Sequence, residues 1–275
     1  MCDMICVISK RKFKPVRWIE EILKCIEGNQ DGFGVFAYDG YGVLIRKTLD
    51  KQEILDYINS MPDVHVFIFH ARAASAGIVD LINCHPIVYG NNILFQNGTV
   101  YGLSGLSERL SDTNLCCRLL STLHHKDRIH LLKNAHCASF YINLKRMLLH
   151  VVNGEGYTHV YELHKLKDGS YLITKHRVDK KQYIERKTYR YIKIRILTQD
   201  VKIVEEAPRY RYYRYHGYFK PNCPYRKKPE KCKYKDYSQC PYRWDNCPYR
   251  GHYSGYHYNQ SYQNQGKRWY QLWWD

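Results

Sequence analysis

The second residue of the chain is a cysteine. A small residue there permits removal of the initiator Met1, which leaves a free α-amine on Cys2. Such an amine titrates at roughly pH 7.7–8.0 in model compounds, so it is a competent base at neutral pH. Nucleophile and base would then be one residue, with no separate histidine required. On its own, Cys2 reads equally as the first apolar residue of a strand.

Four later segments give Cys2 its interest: Asp31-Gly32-Phe33-Gly34, His70-Ala71-Arg72-Ala73-Ala74-Ser75-Ala76-Gly77, Asn83-Cys84-His85-Pro86 and Gln96-Asn97-Gly98. Asn97-Gly98 is ordinarily a hairpin turn. The same pair can offer a side-chain amide and a backbone N–H to a developing oxyanion. Loss of one such donor typically costs about 10²–10³ in rate. Arg72 follows an apolar run and sits among small residues, which suits a floor for a ligand. Its planar fork matches a carboxylate. Asp112 falls in the first turn of a helix, where acids are favoured by the helix dipole alone. With Arg72 it would complete a clamp, guanidinium for an α-carboxylate and carboxylate for an α-ammonium. His70 ends a strand and reads as a local hydrogen-bonding residue. His85 precedes Pro86, which biases it toward extended backbone, and takes a supporting role near the substrate.

The elements that must position these residues follow from periodicity. Cys2–Ser9 is rich in Ile and Val and reads as a strand. Val16–Ile26 carries a helical stripe of Val16, Ile19, Ile22, Leu23 and Ile26, stopped by Gly28-Asn29. Phe33–Tyr38 and Val43–Lys47 form a hairpin across Asp39–Gly42. Lys51–Met61 is a short helix stopped by Pro62. Val64–His70 is an apolar strand, and Ile87–Phe95 holds two short strands. Ser111 caps a helix over Asp112–Leu123. Strands are expected at 138–143, 147–152, 159–163, 170–175 and 189–197, the third and fourth joined through a turn at Lys167-Asp168-Gly169. Many strands with few helices predict an α+β layered fold.

In this order the motifs resemble the glutaminase domain of class-II (N-terminal nucleophile) glutamine amidotransferases. They are Cys2, the Asp31–Gly34 run, His70–Gly77, Asn83–Pro86, Asn97-Gly98 and Ser111-Asp112-Thr113. The Asp-Gly-Phe-Gly and Arg-Ala-x-Ser-x-Gly forms are similar to a compact branch without a fused synthetase domain. The resemblance implies a four-layer αββα fold over residues 1–206. It also implies that Cys2 attacks a γ-carboxamide to form a γ-glutamyl thioester. Asn97 and Gly98 would hold the oxyanion, Arg72 and Asp112 the α-carboxylate and α-amine, and Ser75 and His85 would line the pocket. No metal or other cofactor is expected. Asp3, Gln96 and Asn114 depart from the family pattern, which usually has Gly or Arg, His and Glu there. Asp3 in particular is expected to push the thiol and amine pKa values up.

Residues 207–275 are a different kind of sequence. They hold 15 of the 27 Tyr and, with 14 basic and four acidic residues, ten of the seventeen formal positive charges. Cys-Pro-Tyr-Arg occurs three times, at Cys223, Cys240 and Cys247, and Trp269, Trp273 and Trp274 close the chain. The spacing lacks the paired cysteines of a zinc knuckle. Alternating Tyr and Arg/Lys suits nucleic acid, and the scarcity of aliphatic residues equally suits a solvated extension. No apolar run approaches the ~18 residues of a membrane span. The order of charge and hydrophobicity at the N-terminus is wrong for a signal peptide, and cysteines in apolar contexts favour a reducing, cytoplasmic setting.

Three readings follow. The first is a standalone amidohydrolase acting on glutamine or a γ-glutamyl amide. The second is a glutaminase subunit feeding ammonia to a separate synthetase chain. The third is a binding or structural protein whose working part is the basic tail.

Overall fold

The computed structural model describes residues 2–207. These residues form β1 (Asp3–Phe13), α1 (Ile19–Ile26), β2 (Phe33–Tyr38), β3 (Val43–Thr48), α2 (Lys51–Ser60), β4 (Val64–Ala71), β5 (Ile87–Tyr89), β6 (Asn92–Gly98), α3 (Asp112–Thr122), α4 (His125–Asn134), β7 (Cys137–Asn143), β8 (Leu148–Asn153), β9 (Glu162–Leu166), β10 (Tyr171–Thr174), β11 (Tyr183–Lys187), β12 (Tyr189–Arg195) and β13 (Asp200–Glu206). The Tyr-rich extension from residue 208 on, with its proposed nucleic-acid role, lies outside the described residues.

The strands build two antiparallel sheets. One runs in the order β11-β9-β10-β1-β4-β2-β3, the other β13-β12-β8-β7-β6-β5. Three apolar layers hold them. Met4, Ile8, Phe36 and Ile68 of the first sheet meet Phe95, Phe140, Leu149 and Ile192 of the second. On the outer face of the first sheet, Ile5, Val7, Val35 and Phe67 pack against Ile22 and Ile26 of α1 and Ile54 and Ile58 of α2. On the outer face of the second, Leu94, Tyr141 and Val152 pack against Cys116, Cys117 and Leu120 of α3 and Ile129 and Leu132 of α4. The layering is therefore helix, sheet, sheet, helix, as the resemblance implied.

Because both faces of the central strands are covered, β2 and β7 are buried at every position. That is why they read as apolar runs and not as the alternation of a half-solvated strand. The helix expected from Val16 starts as a 3-10 turn at Pro15–Trp18 and becomes α-helical at Ile19. Asp50 caps α2 by accepting the Glu53 N–H at 2.8 Å, and Ser111 caps α3 by accepting that of Asn114 at 3.2 Å. The strand placed at 159–163 begins three residues later, and β11, β13 and α4 add to the expected set. No helix among the described residues is long and apolar enough to cross a membrane. The seven cysteines among them are all free thiols.

Candidate active site

Cys2 lies just before β1, whose register with β4 pairs Asp3 with Ala71. That pairing carries the Cys2 side chain to the turn leaving β4. The Ala73 N–H donates to Sγ at 3.3 Å, and Sγ lies 3.3 Å from the Ala73 carbonyl. Burial pushes the Cys2 thiol above its ordinary range; the Ala73 backbone and the Arg72 charge act in the opposite direction. Burial is the largest of these causes.

Arg72 is 3% exposed, and its guanidinium curls back onto the loop that follows it. Nη1 donates to the Ile78 carbonyl at 3.1 Å and Nη2 to that of Ala76 at 2.9 Å. Those bonds use two of the five donors a guanidinium carries. Its backbone is clamped to the Asp31–Gly34 motif, with the Arg72 N–H on the Gly32 carbonyl at 2.8 Å and the Asp31 N–H on the Arg72 carbonyl at 2.9 Å. Asp31 Oδ2 accepts from the Ala74 N–H at 2.7 Å, which fixes the next residue of the same turn. Two motifs distant in sequence thus shape one loop around the thiol.

Asp112 is anchored by α3 and accepts the Val100 N–H on Oδ2 at 2.6 Å. Burial raises its carboxyl pKa, against the pull of backbone N–H groups and of the Arg72 charge. No ion pair joins Asp112 to Arg72 among the described residues; each is held by backbone. Asn83 ties their loops together. Its Nδ2 donates to the Ile78 and Arg109 carbonyls at 3.1 and 2.8 Å, and its Oδ1 accepts from the Ser111 N–H at 2.8 Å.

Asn97 and Gly98 are the last two residues of β6, paired with Ala138 and Cys137 of β7. They are not a hairpin turn. Gly98 has φ +114°, and a Cβ there would stand 2.8 Å from both Cys137 Cβ and the His136 carbonyl. Only glycine fits. Asn97 is fully buried and donates Nδ2 to the Tyr161 hydroxyl at 2.9 Å. Its Oδ1 has no partner.

Ser75 is exposed on the loop. His85 is 3% exposed, and its imidazole turns inward to His70. His70 Nε2 lies 2.7 Å from His85 Nδ1 and 3.2 Å from the Gln96 carbonyl, so the His70 Nε2–H donates and His85 Nδ1 accepts. Burial pushes the His70 pKa down to about 3 and that of His85 well below its usual value. The contribution of His85 is therefore made inside the protein, through its ring on His70 and through its carbonyl against Gly34. A Cβ on Gly34 would lie 1.9 Å from that oxygen.

Tyr161, Asn153, Lys175 and His176 belong to no motif that sequence reasoning singled out. Tyr161 links Asn97 to Asp3, accepting from the first and donating to Asp3 Oδ1 at 3.2 Å. Asp3 Oδ2 lies 3.1 Å from Lys175 Nζ and 2.8 Å from His176 Nε2. Asp3, Cys25 and His176 could in composition hold a metal, their ligand atoms lying within 4.8 Å of one another. Lys175 already faces that carboxylate, so the cluster has a cation of its own.

No protein-family model matches the sequence, and no curated protein does. Solved structures do match. Glutamine phosphoribosylpyrophosphate amidotransferase from B. subtilis aligns at 15% identity with TM-score 0.53. A structure described as the allosteric regulatory enzyme of purine biosynthesis aligns at 15% identity with TM-score 0.54. In both cases 74% of this chain is covered, and it spans about half (49%) of the other chain. A glutamine aminotransferase class-II domain protein from Silicibacter pomeroyi aligns at 10% identity and TM-score 0.46 over 74% of this chain and 100% of that one. The described residues have the two-sheet N-terminal-nucleophile fold seen in class-II glutamine amidotransferases.

Proposed function

We propose that this protein is an N-terminal cysteine amidohydrolase that cleaves the γ-carboxamide of glutamine or of a γ-glutamyl amide. The observation that carries the reading is the thiol of Cys2 bracketed by the Ala73 backbone, with Asn97 tied through the Tyr161 hydroxyl to Asp3, the residue that follows the thiol. Once Met1 is removed, the α-amine of Cys2 takes the thiol proton as sulfur attacks the amide carbon. Asn97 Nδ2 and the Gly98 N–H receive the oxyanion. The protonated amine gives its proton to the leaving nitrogen, and ammonia or an amine departs. Water, deprotonated by the same amine, then releases glutamate from the thioester. Arg72 and Asp112 read the α-carboxylate and α-ammonium, and Ser75 lines the entrance. The domain doing this is residues 1–206, with 207–275 a separate extension.

A second reading passes the released ammonia to an acceptor enzyme in trans; the fold likeness to the B. subtilis glutamine phosphoribosylpyrophosphate amidotransferase, of which this chain spans 49%, is what supports it.

The test is intact mass after treatment with an electrophilic glutamine analogue. A single adduct on protein lacking Met1, absent in Cys2→Ala, is expected. Labelling that persists in Cys2→Ala would exclude Cys2 as nucleophile. Ammonia release from glutamine by the isolated chain, unchanged by any added protein, separates the first reading from the second.

A further inference from the structure

The residue after the nucleophile is a buried aspartate, and its carboxylate is wired to the far side of the site. Lys175 Nζ lies 3.1 Å from Asp3 Oδ2 and also donates to the Cys2 carbonyl at 3.3 Å. Asp3 Oδ1 accepts from the Met4 N–H at 2.8 Å and from the Tyr161 hydroxyl at 3.2 Å. The hydroxyl oxygen accepts from Met4 N–H at 3.2 Å and from Asn97 Nδ2 at 2.9 Å. Asn153 pins the Tyr161 backbone from both sides, its Oδ1 taking the Tyr161 N–H at 3.0 Å and its Nδ2 giving to the Tyr161 carbonyl at 2.9 Å. Phe140 meets the ring edge-on at 5.4 Å.

The chain has a direction. An ionised carboxylate only accepts, so the single Tyr161 proton is committed to Asp3. The hydroxyl can then only accept from the carboxamide, which obliges Asn97 to present Nδ2 and not Oδ1. A carboxamide has two nearly isosteric orientations, and only this one places an N–H donor at this end. One Nδ2 hydrogen is spent on Tyr161; the other remains for an oxyanion. The cost of the choice is visible in Asn97 Oδ1, which is buried without a partner. We infer that Asp3 and Tyr161 are positioning residues that lock the carboxamide of Asn97 in the orientation an oxyanion needs. The role rests on the proposed function; the lock itself does not.

The test uses the full chain and two near-isosteric variants. Tyr161→Phe removes the hydroxyl. Asp3→Asn keeps the shape but can donate as well as accept, so the direction is lost. For hydrolysis of a γ-glutamyl amide, kcat is expected to fall about tenfold or more in each, with KM within about threefold, since a misaligned oxyanion donor affects the transition state and not binding. The independent readout is the side-chain amide of Asn97 in ¹⁵N-labelled protein, identified by its loss in Asn97→Asp. Its hydrogen exchange is expected to be slow in the wild type and faster in both variants. If the wild type hydrolyses no amide, the proposed function fails, and the exchange measurement alone decides the lock. Unchanged exchange in Tyr161→Phe would overturn the lock, and wild-type kcat with altered exchange would overturn its role in the reaction. One zinc ion per chain, lost in Cys25→Ser, would overturn it as well, because Asp3 would then be a metal ligand with its charge spent there.

Discussion

Two adjacent residues at the end of β6 make opposite demands on chemistry. In the proposed reaction Asn97 serves through its amide, and Gly98 is required for its lack of a side chain. Asn97→Ala is expected to lower kcat by about 10²–10³ while the protein stays folded, the usual consequence of deleting one oxyanion donor. Steady-state kinetics beside a thermal melt would check it. Gly98→Ala is expected to act through stability. The positive φ of 114° and the 2.8 Å approach to Cys137 and His136 leave no room for a methyl group. Strain of this kind costs on the order of 1–3 kcal/mol, readable as a shift in the urea midpoint. Asp3 shows why a residue's neighbours must be known before its charge is interpreted. Beside Cys2 in sequence, it invites an argument about raised pKa values. In the fold its carboxylate faces Lys175 and His176.

Elements fix where those residues point. The α3 helix carries Asp112 in its first turn, and that turn is fastened by Ser111 on the Asn114 N–H and by Asn83 on the Ser111 N–H. Ser111→Ala is expected to cost about 1 kcal/mol of stability, the typical value of an N-cap, and to raise KM for glutamine more than it lowers kcat. Denaturation midpoints and kinetics on the same variant would separate the two effects. The elements that sequence patterning missed are peripheral. Strand β13 is an edge strand alternating between exposed and half-buried, and β11 is exposed at four of its five positions. Their Lys, Arg and Glu residues protect open edges and erase the apolar signal by which a strand is recognised. Helix α4 buries only Ile129 and Leu132, too few for a clear stripe.

At the scale of the molecule, the packed layers enclose histidines that cannot easily take a proton. Burial holds His70 and His150 down to about 3 and His85 well below its usual value. In the unfolded chain the same groups titrate at about 6.5. As pH falls below that value the unfolded state binds protons that the folded state refuses, so stability drops; as pH rises above it the penalty vanishes. Melting temperature is therefore expected to be flat between about pH 7 and 8 and to decline steadily from about 6.5 toward 3. Above about pH 8.5 it falls again, because burial holds the Cys6, Cys116, Cys117 and Cys137 thiols protonated in the fold. A protein that becomes less stable on going from pH 5 to pH 7 would contradict the burial of these rings.

Much of this protein is written locally. The stripe Ile19, Ile22, Ile26, the apolar run before His70 and the cap at Ser111 each depend on residues within a few positions, and periodicity reports them directly. The ordered motifs from Cys2 to Asp112 likewise point to the fold, and to the thiol on which the proposed reaction rests. The tertiary structure alone decided that Asn97-Gly98 closes a strand, that His85 turns inward, and that Tyr161 stands between Asn97 and an aspartate 158 positions away. No local pattern can encode such a contact. Hydrogen-bond partners of this kind are chosen by which strand ends the two sheets bring together, and that is settled only when the core between them closes.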